Sequence, residues 1–374
     1  MSTPLQTPLT QMKALFTLLA GAVMFVTLLA PASAEATRKK AIWGPIDVNG
    51  VSQFPVYKEL GVGIYQMQLS WAGTARSRPA DPRNPADPAY VWPAQIDRAV
   101  TEGARNGITV SLLVMQTPPW ANGGREWRWA PTQPQDYADF VEAASRRYPQ
   151  VRHWMIWSEP TKADNFQPLS PDRHRRLRGR ALRGPHLYAR MLDSAYASLK
   201  RVNRRNLVIG GNTFTTGTVT PRRFIEAMRL PSGKPPRMDL YGHNPFSARV
   251  PELSQAPLGR GYADLSDLDQ LTRWVDRNLR RPKRSGKRLK LFLSEVSFPT
   301  DHPNFEFNFY VSQKTQADWI RRALRITRRW KRIYTFGYLG LFDDPVRPAG
   351  DQVERGLVER SGRRKPGFTA FKRG

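Results

Sequence analysis

Residues 151–160 read Val-Arg-His-Trp-Met-Ile-Trp-Ser-Glu-Pro, an apolar stretch that closes on a glutamate and a proline. The run from Val151 to Trp157 has the length and composition of a β-strand buried on both faces, as strands of parallel sheets are. Glu159 comes two residues later, and a carboxylate beside a buried strand costs free energy unless it is paired or used in chemistry. The stretch therefore predicts a parallel strand that ends at a candidate functional residue.

Seven similar runs surround this one, separated by longer amphipathic stretches. The predicted strands lie at 41–46, 62–70, 108–115, 151–157, 206–212, 238–243, 289–295 and 333–342. The predicted helices lie at 94–106, 135–147, 185–203, 221–230, 268–281 and 315–331, with a short one at 54–60. A repeated strand-then-helix order predicts parallel strands, and eight such units that close on themselves form a barrel.

The sequence thus predicts the α/β class, with a single-domain (β/α)8 TIM barrel. An open, doubly wound sheet is the alternative for the same order of elements. It is disfavoured because no glycine-rich phosphate-binding fingerprint follows the first predicted strand.

The first 34 residues are predicted to be a signal peptide. Lys13 precedes an apolar run at 14–30, which ends in Pro-Ala-Ser-Ala at 31–34. Small residues at this spacing are typical of a secretory cleavage site, here after Ala34. An uncleaved anchor is the alternative, because an apolar run of about 17 residues approaches the lower limit for spanning a bilayer. We expect a secreted catalytic domain at 35–374, with attachment to the envelope as the other outcome.

Composition narrows the classes of function. The chain has no cysteine, so disulfides and thiolate metal sites are excluded, and its five histidines lack the spacing of metal ligands. We therefore expect no metal and no cofactor. The net charge of +28 suggests nucleic-acid binding as a hypothesis. The arginines are scattered along the sequence, however, and no nucleic-acid-binding module is recognisable, which argues against it. A solvated arginine-rich surface, or electrostatic association with an anionic envelope, fits better. We expect a monomer.

A second glutamate ends another apolar strand. Residues 289–299 read Leu-Lys-Leu-Phe-Leu-Ser-Glu-Val-Ser-Phe-Pro, so Glu295 closes the seventh predicted strand as Glu159 closes the fourth. Barrel enzymes place their chemistry at the C-terminal ends of the strands. Both glutamates are therefore expected at the same mouth of the barrel.

The run Trp157-Ser158-Glu159-Pro160 resembles the Trp-Asn-Glu-Pro signature of the clan of retaining (β/α)8 glycoside hydrolases, which includes the cellulase-like and β-xylosidase-like families. In that clan the acid/base glutamate ends strand four and the nucleophile ends strand seven. The resemblance implies that Glu159 is the acid/base and Glu295 the nucleophile. Retaining enzymes hold the two carboxyls roughly 5 to 5.5 Å apart.

The same resemblance implies the residues that would bind the sugar. His243 ends strand six, where the clan lines its sugar subsite, and Trp120 lies in a Thr-Pro-Pro-Trp loop found in β-xylosidase-like members. Trp157 adjoins the acid/base. Ser158 stands where the clan has an asparagine, and Tyr338 stands on strand eight, which usually has a tryptophan. These two departures make an ordinary cellulase specificity doubtful.

The expected function is hydrolysis of an oligo- or polysaccharide. A catalytically silent barrel that binds a glycan through the same cleft is the alternative, and both Ser158 and the missing tryptophan of strand eight favour it. A basic protein that binds anionic polymers by charge alone is a third reading. Salt-sensitive binding would mark that third class.

We predict that the exported protein begins at Glu35, because signal peptidase cuts after small residues such as those at 32–34. Mass spectrometry of secreted material gives the N-terminal residue directly. An exported chain that still contains residues 1–34 would contradict the prediction and favour an anchor.

Overall fold

The computed structural model describes residues 40–279, 288–304, 307, 309–348 and 352–374. Eight parallel strands form a closed barrel in which each strand pairs with its neighbours in the sequence and the last pairs with the first. They are β1 (Lys40–Trp43), β2 (Ile64–Ser70), β3 (Thr109–Met115), β4 (His153–Ile156), β5 (Leu207–Phe214), β6 (Leu240–Asn244), β7 (Lys290–Val296) and β8 (Ile333–Leu339). The predicted TIM barrel is confirmed.

One helix of 6 or more residues follows each strand and packs on the outside of the barrel, and short helices at Trp71–Thr74 and Pro119–Asn122 also follow β2 and β3. The longer helices are α1 (Phe54–Glu59), α2 (Ala94–Asn106), α3 (Pro134–Arg147), α4 (Arg183–Val202), α5 (Pro221–Ala227), α6 (Leu268–Leu279), α7 (Gln313–Arg329) and α8 (Pro366–Arg373). In the described part of the chain, none of the helices has the length and apolar character that a membrane span requires. The predicted signal peptide lies outside the described residues.

β1 and β8 each end three residues earlier than the sequence predicts, and β4 ends one residue earlier. β1 stops at Trp43 because Gly44 and Pro45 carry the chain away from the barrel. Pro45 has no N–H for a strand ladder, and the carbonyls of both residues accept hydrogen bonds from tyrosine hydroxyls, from Tyr65 at 2.7 Å and from Tyr57 at 2.6 Å. β8 stops at Leu339, before a glycine with φ of 101°.

Buried tyrosines fasten α3 and α4 to the strand ends. The Tyr137 hydroxyl donates to the carbonyl of Val114 at 2.8 Å. The Tyr188 hydroxyl donates to the carbonyl of Ile156 at 2.9 Å and accepts from the N–H of Gly211 at 2.8 Å. Because these backbone groups are buried, each would cost free energy if left without a partner. The two helices thus fix the C-terminal ends of β3, β4 and β5.

A buried amide crosses the barrel interior. Gln66 on β2 donates from Nε2 to the carbonyl of Ser294 on β7 at 2.9 Å, and the Ser294 hydroxyl donates to Gln66 Oε1 at 3.2 Å. The same carbonyl accepts from Trp43 Nε1 at 3.1 Å. A Cβ on Gly337 of β8 would lie 2.2 Å from this carbonyl and 2.6 Å from Gln66 Nε2. Only glycine therefore fits opposite the pair.

Lys40 ties the start of the barrel to its last helix. Its buried Nζ donates to the carbonyls of Leu60 at 3.1 Å, Phe371 at 2.7 Å and Lys372 at 3.0 Å. The last two belong to the final turn of α8, where carbonyls lack partners within the helix. One side chain thus satisfies three backbone groups from two distant segments.

We predict that Lys40→Met lowers the free energy of unfolding by about 1–3 kcal/mol, because it leaves these three carbonyls without their donor. Urea unfolding followed by circular dichroism measures the change. Lys58→Met, at an exposed position in the last turn of α1, is the matched control and should change stability little. Equal stability of the two variants would contradict the assigned role of Lys40.

Candidate active site

The chain turns sharply after β4, and the turn carries Glu159. Trp157 has φ of 64° and Glu159 has φ of 44°, a left-handed conformation that non-glycine residues rarely adopt. Asn212 on β5 holds the turn, since its Nδ2 donates to the Trp157 carbonyl at 2.7 Å and its carbonyl accepts from the Glu159 N–H at 2.9 Å. A Cβ on Gly242 of β6 would lie 1.8 Å from Asn212 Oδ1. Backbone strain of this kind is concentrated at functional sites.

The Glu159 carboxylate is buried and surrounded by hydrogen-bond donors. It is 5% exposed. Asn244, the last residue of β6, donates from Nδ2 to Oε1 at 3.1 Å. Asn165 donates from Nδ2 to Oε2 at 3.1 Å, and Lys162 Nζ lies 3.0 Å from the same oxygen. All three contacts stabilise the negatively charged carboxylate.

Glu295 lies at a β-bulge near the end of β7. Between Leu293 and Val296 the register with β8 shifts, so that Ser294 and Glu295 together face the single residue Gly337. Ser294 points into the barrel, and strict alternation would turn the next residue outward towards the helices. The bulge removes that constraint. Glu295 is half-buried.

The structure contradicts the predicted role of His243 in sugar binding. The side chain is 0% exposed, and both ring nitrogens have partners within the protein. Nε2 lies 2.9 Å from the carbonyl of Ala263, and Nδ1 lies 2.8 Å from the hydroxyl of Thr213. A carbonyl only accepts, so Nε2 carries the proton, and a neutral ring then accepts at Nδ1 from Thr213. Burial lowers the pKa of His243 to about 4.

Trp157 and Tyr338 are also wrong as sugar contacts, because each is 0% exposed. The Trp157 ring packs edge-on against Phe166, with ring centroids 5.6 Å apart. The Tyr338 hydroxyl donates to the carbonyl of Arg355 at 3.0 Å, and its ring packs against Phe371 of α8 at 5.7 Å. Tyr338 therefore faces the helical layer and not the mouth of the barrel.

The surroundings of Trp120 and Ser158 neither support nor contradict their predicted roles in sugar binding. Trp120 is half-buried, its Nε1 donates to the carbonyl of Ala75 at 2.8 Å, and the Arg78 guanidinium lies 4.6 Å from its ring centre. A sugar ring that stacks on this face would have to displace Arg78. Ser158 is half-buried beside Glu159. Both assignments stay predictions.

Three residues around Glu159, namely Asn244, Lys162 and Asn165, were not predicted. Asn244 follows His243 at a strand end, and that position was a signal that could have identified it. Lys162 and Asn165 lie in an irregular loop, where no periodicity points to a carboxylate six or fewer residues away. Trp127, in the loop after β3, is 38% exposed and offers more free aromatic surface than the buried Trp157.

No protein-family model and no curated protein matches the sequence. Solved structures do match. A family 39 glycoside hydrolase from Bacteroides cellulosilyticus WH2 has a TM-score of 0.65 and 16% identity, covering 91% of this chain and 64% of that one. A glucosidase from Croceicoccus marinus has a TM-score of 0.61 and 15% identity, covering 88% and 64%. A monomeric beta-xylosidase from Caulobacter crescentus CB15 has a TM-score of 0.55 and 16% identity, covering 89% and 67%.

The chain has the barrel fold of these glycoside hydrolases. At such identities the likeness concerns the fold alone. The chain spans 64% of the length of the first two structures.

The buried His243 predicts how stability depends on pH. Its folded pKa of about 4 lies below the ordinary value of 6.5, so between these values the unfolded chain binds the extra proton. Stability should therefore fall as the pH drops from 6.5 to 4, by up to ~1.4 kcal/mol per pH unit from this group. In His243→Gln this part of the slope should disappear, which urea unfolding at a series of pH values measures. His302→Gln removes an exposed histidine and should not flatten the curve. An unchanged slope in His243→Gln would contradict the assignment.

Proposed function

We propose that the protein is a secreted, retaining glycoside hydrolase that cleaves O-glycosidic bonds of an extracellular or envelope polysaccharide. The observation behind the proposal is the position of Glu159 and Glu295, just after β4 and near the end of β7 in one closed barrel. TIM-barrel enzymes perform their chemistry at this face. The fold shared with glycoside hydrolases supports the proposal, and the predicted signal peptide supports secretion.

In the first step Glu295 attacks the anomeric carbon as a carboxylate, while Glu159 gives its proton to the departing oxygen. The bond between the anomeric carbon and that oxygen breaks, and a glycosyl ester with Glu295 forms. A carboxyl separation of roughly 5 to 5.5 Å is required and stays a prediction.

In the second step Glu159 takes a proton from water, the water oxygen attacks the anomeric carbon, and Glu295 leaves as a carboxylate. Lys162, Asn165 and Asn244 stabilise the charged Glu159 that this step needs. The first step needs a protonated Glu159. We therefore expect bound substrate to lengthen the contact between Lys162 Nζ and Glu159 Oε2, while the two amides continue to orient the carboxyl.

A glycan-binding barrel without activity is the second candidate. The ion pair between Lys162 and Glu159 favours it, because an acid held as a carboxylate delivers no proton. The same cleft would then bind the glycan without cleaving it. Turnover of any glycoside decides between the two candidates.

We predict that Glu295→Ala reduces hydrolysis of every substrate to background, because no glycosyl ester can form. Glu159→Ala should slow hydrolysis of natural glycosides about 10²–10⁴-fold. It should still release the phenol of an activated aryl glycoside in a first burst, since that leaving group needs no proton. Nitrophenyl xylosides and glucosides are suitable first substrates, given the names of the structural neighbours. Proton NMR should show that the first product keeps the anomeric configuration.

Glu59→Gln is the control for these variants. Glu59 ends α1 and pairs with Arg364 and Lys372, at the end of the barrel opposite the candidate site, so its loss should not affect turnover. A product of inverted configuration would contradict the retaining mechanism and imply carboxyls roughly 6.5 to 9.5 Å apart. Full activity of both Glu159→Ala and Glu295→Ala would rule out the site.

A further inference from the structure

A basic cavity lies in the helical layer, outside the barrel. Its volume is about 460 Å³, within the range of sites for small organic molecules. It is lined by residues of α4, α5, α6 and the loops beside them, whereas the candidate active site lies at the ends of strands. Among the residues that the structure describes, its ionisable lining comprises four arginines, one histidine and one glutamate: Arg176, Arg223, Arg229, Arg277, His186 and Glu226.

Arg223 is held in place on one side of this cavity. Its guanidinium donates to Glu226 Oε2 at 2.7 Å and to the carbonyl of His174 at 3.3 Å. Its Nε is buried and has no hydrogen-bond partner among the described residues. Glu226 also accepts from Arg222 at 2.9 Å, so one carboxylate serves two guanidinium groups. The positive charge on this side is therefore only partly balanced.

Arg229 is fixed by neutral groups. Its guanidinium donates to the carbonyls of Ile225 at 3.3 Å and Met228 at 2.9 Å, and to Asn278 Oδ1 at 3.2 Å. These acceptors orient the side chain without cancelling its charge. A guanidinium positioned in this way needs little ordering when an anion binds.

Arg176 and Arg277 lie at the exposed rim of the cavity, and neither side chain forms a hydrogen bond or ion pair with any residue that the structure describes. With His186 neutral, the lining has three positive charges in excess. The pKa of His186 is lowered by burial and by the charges of Arg190 and Arg229, which indicates a positive potential at the cavity. Like charges held together repel, and a bound anion relieves that repulsion.

We propose that this cavity binds a phosphate ester. The planar guanidinium fork matches the oxygens of a phosphate group and forms charge-assisted hydrogen bonds with it. Leu177, Leu182 and Ala227 supply an apolar wall for the organic part of the ester. The ester is either a small phosphorylated molecule or one unit of a phosphodiester polymer. The site is separate from the candidate active site, so it stands whether or not the protein is a hydrolase.

Isothermal titration calorimetry of the purified protein with glycerol 3-phosphate at low salt tests the proposal. The double variant R176Q/R277Q should bind at least about tenfold more weakly, because two charge-assisted contacts are lost. Its melting temperature should not fall, since neither side chain has a partner in the described structure and their removal relieves repulsion between like charges. R204Q/R205Q removes the same charge from the exposed turn after α4 and should bind within about twofold of wild type.

A short poly(glycerol phosphate) oligomer identifies the source of the ester. Tighter binding of the oligomer than of the monomer, weakened by R176Q/R277Q, indicates a polymer, and equal binding indicates a small ester; both results support the cavity. Equal losses in R176Q/R277Q and R204Q/R205Q would show a bulk charge effect and overturn the proposal. Absence of saturable glycerol 3-phosphate binding by the wild-type protein would overturn it as well.

Discussion

The hydrogen bonds between Gln66 and Ser294 across the barrel interior are the interaction on which the candidate site depends. The bulge at Ser294 and Glu295 disturbs the ladder between β7 and β8, and the Ser294 carbonyl then needs donors from side chains. Gln66 and Trp43 provide them, and Gly337 leaves the space. Without these donors the buried carbonyl beside Glu295 would lose its side-chain hydrogen bonds, at a cost in free energy.

The position of Glu159 likewise depends on a buried side-chain amide that satisfies irregular backbone. The turn that carries Glu159 also leaves the regular ladder, and an amide from a neighbouring strand, Asn212, satisfies its backbone. Gly242 again provides the space beside the amide. Both candidate catalytic residues thus lie at irregular backbone that buried side-chain amides hold in position. Both irregular segments lie at the C-terminal ends of strands, where barrel enzymes perform chemistry.

Sequence patterns predicted the barrel and the strand ends because hydrophobic runs, and their alternation with amphipathic helices, can be recognised from the order of residues along the chain. They could not predict which way a side chain points. Strands buried on both faces show no alternation of polar and apolar residues, and a bulge reverses the order of inward and outward positions. Tyr338 was placed at the mouth for this reason, although it faces α8. The donors around Glu159 escaped detection because Lys162 and Asn165 lie in a loop, where contacts depend on tertiary structure.

The net charge of +28 illustrates the same distinction between composition and placement. Many arginines are already paired with acidic residues of the helical layer, as Arg237 is with Asp193 and Arg332 with Asp276, and such pairs add little to the local field. The excess of positive charge affects binding where several guanidinium groups lie close together with few carboxylates to balance them. Arg229 and Arg277 lie in this way near Glu226. Scattered charge in the sequence therefore becomes a localised positive site only through the packing of α4, α5 and α6. Association of a polyanion with the whole surface depends on the net charge. Binding of a phosphate ester in this cavity depends on those particular side chains.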